Sequence, residues 1–301
     1  MMRRALVPLI AVCTALGVGI ALGGGPLSDR GDAGTATGYV SGKAHDDLLA
    51  QAKAGQKLAA ATAPMLVHGK LTGKPVAIAA FPGAPQSVLD AVAGQVAAAG
   101  GTVTSTVHIT GAATDPANKS LVDTLGSQMA TQVHGVVDAA QPPYVRLGQL
   151  LGGAVATTST PAAPSADAAT TLATLAESKL VSMGAAGQAS DAQPTVQSSA
   201  SLLLVVLGDH VDPTILAGIV QGAATRAHGV VVAGSTGSGL RGDLKRLRAH
   251  DLGAQAPVVA TVDGDETNIG QVGAVLALAH QIAGGGGAYG ASGIDGVAPL
   301  G

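Results

Sequence analysis

Residues 202–207 (LLLVVL) are apolar at every position, and this leaves the chain few options. A run of strand length with no polar side must be buried on both faces, which happens when helices cover both sides of a parallel sheet. Runs of the same kind recur at 75–81 (PVAIAAF), 229–233 and 257–262, and residues 102–109 alternate as a fifth strand. Helical patterns fill the gaps. Residues 87–99 place Val88, Leu89, Val92 and Val96 on one face, and 213–226, 240–250 and 269–283 follow the later strands. Residues 121–137, 144–155 and 167–180 add three helices between the second and third strands. This β–α rhythm predicts five strands in a mostly parallel, Rossmann-like three-layer α/β domain over residues 73–283. Residues 284–301 open with four glycines and are expected to form a flexible tail.

Composition narrows the function classes. Hydrophobic residues make up 47% of the 301 and charged ones 12%, so the chain can bury a core. That apolar mass holds one Phe, three Tyr and no Trp, too few aromatics for the girdles of a membrane β-barrel or for base-stacking platforms. With a net charge of −3 and a single basic cluster at 245–248 (KRLR), nucleic acid is not an expected partner. The sole cysteine, Cys13, excludes an intrachain disulfide and a CxxC metal site.

Cys13 lies in an apolar run without a charge, residues 5–22, preceded by Arg3 and Arg4. At about 1.5 Å per residue, and extended to Gly25, this run just crosses a hydrocarbon core about 30 Å thick. The two arginines hold the N-terminus in the cytoplasm and send the remainder outside. The expectation is a single-pass anchor over residues 1–27. The alternative is a leader cleaved after the small residues at 21–23. Ala11, Ala15, Gly19 and Gly23 recur every fourth residue, either as a close-packing face for a homo-oligomer or as a product of composition. Residues 28–72 then supply a spacer and a helical stalk, with a helix over 43–63 stopped by Pro64.

With these elements in place, the chain resembles the actinobacterial MctB-like family of copper transport outer membrane proteins. The resemblance is carried by LGVGIALGGGPLSD at 16–29, LVHGKLTGKPVAI at 66–78, GQVAAAGGTVTSTVHIT at 94–110 and ATVDGDETNIGQVGAVLALAHQIAGGGGAYG at 260–290. It implies a membrane-anchored envelope protein with a role in copper efflux or copper homeostasis, and copper enters only through it. Corynebacterial relatives are linked to septal wall remodelling. The second implied role is therefore a non-catalytic extracytoplasmic module that engages an envelope protein partner in remodelling or cell division.

The residues themselves offer no strong copper site. Copper(I) prefers thiolate and thioether ligands, and Met65, Met129 and Met183 fall on separate predicted elements. The eight histidines form no His-x-His or i, i+4 pair. Ligands in open parallel sheets bind at loops after the strands. Two such loops carry the weak metal candidates, Asp209, His210 and Asp212 after the third strand and Asp263, Asp265 and Glu266 after the fifth. Asp212 and Asp265 also suit ordinary helix capping. A third loop, 234–239 (GSTGSG), lacks the P-loop lysine and is expected to be a plain loop. With no GxSxG and no nucleophile–base pair, the expectation is no catalytic residue, no cofactor and no enzyme activity.

Overall fold

The computed structural model describes residues 42–133, 135–159, 163, 165–183, 196, 198–208, 210–250 and 258–300. The apolar run 5–22, with Ala15, Gly19 and Gly23, lies outside them. Among the described residues no helix is long and apolar enough to cross a membrane. The chain divides into two units, 1–49 and 50–301, and of the first only the opening turns of one helix are described.

That helix, α1 (Gly42–Val67), runs through Pro64 instead of ending before it. Pro64 has no N–H to offer the preceding turn, but its own carbonyl accepts His68 N–H at 3.1 Å, so the helix runs on for one more turn. Then follow β1 (Pro75–Ala80), α2 (Gln86–Ala98), β2 (Thr102–Ile109), α3 (Gly111–Thr114), α4 (Lys119–Gln132), α5 (Pro143–Val155), α6 (Ala166–Glu177) and β3 (Val181–Met183). The second half comprises β4 (Leu202–Val206), α7 (Pro213–Ala224), β5 (Gly229–Gly234), α8 (Thr236–Arg241), α9 (Asp243–Ala249), β6 (Val259–Asp263), α10 (Asn268–Ile282) and β7 (Gly287–Tyr289).

The sheet has seven strands in the order β3-β2-β1-β4-β5-β6-β7, parallel except for β3. Five were expected. The two additions, β3 and β7, are three-residue edge strands, too short for a period-2 pattern to register. β7 arises from the stretch expected as a flexible tail. Its backbone pairs with β6, and Asp295 Oδ2 accepts Ala288 N–H at 2.8 Å. The helix expected over 240–250 is two helices. Gly242 is extended between them and Ser238 Oγ accepts Leu244 N–H at 3.0 Å, so a new helix starts there.

Alternate strand residues feed two separate cores, the direct consequence of the pleat. Ala77, Ala79, Leu203, Val205, Val230 and Val232 join α4–α7 on one face. Val76, Ile78, Leu202, Leu204, Val206 and Val231 join α2, α10 and the end of α1 on the other. Leu202, Leu203 and Leu204 are all fully buried, each worth about 1.5–3 kcal/mol. The apolar run therefore serves both sides of a three-layer sandwich.

Candidate functional site

In this strand order the chain reverses direction between β1 and β4, the switch point at which doubly wound folds usually open a ligand crevice. Here that crevice is closed. The loop after β1 folds over the end of β4, Phe81 N donates to Val206 O at 2.9 Å, and a Cβ on Gly208 would overlap Pro82 O. The backbones touch because Gly208 has no side chain.

Open space lies one strand along, between the loops after β4 and β5. It is a cleft of about 340 Å³ lined by Gly208, His210, Ser235, Gly237, Ser238, Arg241, Gly242, Asp243 and Arg246. Each wall has a local cause. Ser235 caps α8, its Oγ accepting Ser238 N–H at 3.0 Å. Asp243, at the start of α9, is buried; its Oδ2 accepts Val211 N–H at 2.9 Å and its Oδ1 pairs with Arg246. His210 holds a left-handed backbone, φ +58°, unusual for a residue with a Cβ.

The metal candidates are dispersed. Asp209 lies outside the described residues. Asp212 caps α7, its Oδ1 accepting the N–H groups of Thr214 at 2.8 Å and Ile215 at 3.2 Å, with Pro213 in the first turn. Asp263 is enclosed by Arg248 at 3.2 Å and by the N–H and hydroxyl of Ser292, each at 3.0 Å. Glu266 accepts Thr236 N–H at the start of α8. Asp265 does not cap α10; Thr267 does, through Gly270 N–H at 3.1 Å. Among the described residues no three His, Cys, Asp or Glu side chains gather closely enough to hold a metal ion. The methionines are equally separate, with Met65 exposed on α1, Met129 buried in α4 and Met183 on edge strand β3.

Asp265 stands in an unusual environment. Its Oδ2 is buried without a hydrogen-bond partner among the described residues. Burial, and then the neighbouring Glu266 carboxylate, push its carboxyl up to about 7. Arg241, Asp243 and Arg246 were not foreseen as cleft residues. The signals available were the basic run at 245–248, which holds Arg246, and the i, i+3 spacing of Asp243 and Arg246, and both are ordinary on a helix.

The family model described as "Copper transport outer membrane protein, MctB" matches residues 1–299. The chain is 29% identical over 304 residues to the copper transporter MctB of Mycobacterium tuberculosis (strain H37Rv), spanning 94% of this chain and 93% of that protein. The copper transporter MctB of Mycobacterium bovis is similar to the same extent.

Proposed function

The chain belongs to the MctB family of copper transport outer membrane proteins, and from that premise we propose that it is an envelope protein with a role in copper efflux or copper homeostasis. The observation that carries the reading is the extent of the family match, which takes in the apolar N-terminal run as well as the α/β domain. The proposed arrangement is a single-pass anchor at 5–22 with the α/β domain on the extracytoplasmic side. It rests on the uncharged run and its two preceding arginines. The domain acts without catalysis, as a module whose part in copper tolerance is indirect. The dispersal of the thioethers and of the described imidazoles and carboxylates supports this, since tight copper(I) binding needs several soft ligands converging on one point.

Copper tolerance of a deletion strain tests the proposal. Growth is expected to become copper-sensitive and to be restored by the full chain but not by a chain lacking residues 1–27. A deletion strain that tolerates copper normally, yet fails to separate its daughter cells, would replace this reading with an envelope-remodelling one.

A further inference from the structure

The cleft between the β4 and β5 loops is lined by side chains rich in hydrogen-bond donors and poor in free acceptors. Arg241, at the end of α8, is exposed, and its guanidinium has no partner among the described residues. Arg246 is engaged by Asp243 yet remains 43% exposed, and a guanidinium has five N–H groups to offer. Asp243, the one described carboxylate in the lining, is occupied on both oxygens by Val211 N–H and Arg246. The hydroxyls of Ser235 and Ser238 each accept a backbone N–H, from Ser238 and Leu244, at 3.0 Å, which leaves their own protons to donate. His210 completes the rim.

The geometry points to a binding site for an oxyanion, the phosphate or carboxylate group of a small polar molecule, held by Arg241 and Arg246. Two guanidinium groups against one buried, already paired carboxylate leave the described lining with one net positive charge. A flat or tetrahedral oxyanion meets forked donors there that match its geometry. The cleft volume of about 340 Å³ suits a small ligand. Its position outside the C-terminal ends of parallel strands is where such sheets bind ligands, moved one strand along because Gly208 lets the β1 loop close the usual crevice. The site is independent of the copper reading.

Calorimetric titration of the full chain in detergent micelles at low ionic strength tests it, with inorganic phosphate, glycerol 1-phosphate and acetate as separate titrants. Saturable binding of at least one is expected, at least about tenfold weaker in Arg241→Gln and undetectable in Arg241→Glu. Thermal unfolding should be unchanged in both variants, because Arg241 is exposed and has no partner among the described residues. Binding of the two phosphates alone assigns a phosphate ligand; binding of acetate assigns a carboxylate. No saturable binding of any titrant, or binding that Arg241→Gln leaves intact, overturns the proposal.

Discussion

At the scale of single residues, Asp265 has the clearest physical consequence. In the unfolded chain its carboxyl loses its proton near pH 4, whereas in the folded protein burial, and then the Glu266 charge, hold the proton until about pH 7. Between these values the folded state carries a proton that the unfolded state has released. The native state is therefore favoured at low pH, and the advantage is lost as pH rises through that window. Asp265→Asn should leave the melting temperature near pH 4 almost unchanged and raise it above pH 7. Thermal unfolding at pH 4, 6 and 8 checks this, and parallel wild-type and variant curves would show that the carboxyl ionises normally.

The element that most depends on its smallest residues is the pairing of α5 with α7. Gly148 and Gly152 on α5 meet Ile219 O and the Ala223 backbone, while Gly218 and Gly222 on α7 meet Tyr144 Cβ and Val145 O. The two helices touch backbone to backbone along two GxxxG stripes, and any Cβ there must push them apart. Gly222→Ala should cost about 1–3 kcal/mol of overpacking, a fall of roughly 2–10 °C in melting temperature. Gly94, exposed within α2, meets nothing within 4 Å. Gly94→Ala should instead stabilise by about 0.5–1 kcal/mol through better helix propensity. Opposite signs for the two variants in one calorimetric series are the expected result.

For the whole molecule, the C-terminal stretch is part of the structure. Arg248 donates to Thr261 Oγ1 at 2.9 Å, Ser292 Oγ at 2.8 Å, Asp263 Oδ1 at 3.2 Å and Tyr289 O at 2.7 Å, tying α9, β6 and β7 together. Removal of residues 285–301 would bare the edge of β6 and strip the buried Asp263 of both Ser292 contacts. The truncated chain should melt at least about 5 °C lower, since partly unpaired buried charges are costly. A passive tail would be lost without effect. Melting curves of the truncated and intact chains in one buffer decide between the two.

Much of this architecture is legible along the chain, because it rests on local chemistry. Leu202 to Val206 must be covered on both sides whatever surrounds them, and the Val88, Leu89, Val92 and Val96 stripe turns one face of α2 to the core in any context. Asp212 ahead of Pro213 starts a helix for reasons confined to three residues. The glycines are different. In a chain with 44 of them, Gly148, Gly208 and Gly222 look like all the others until the helices and loops they touch are in place. The cleft follows the same logic. Arg241 and His210 are far apart in sequence, and only the parallel pairing of β4 with β5 sets their loops side by side. Pattern along the chain determined which segments are strands and helices, since that depends on neighbours within a few residues. Tertiary structure alone decided which backbones touch, which carboxylates are paired and where the open cleft lies, because those depend on residues that meet only after the sheet has closed.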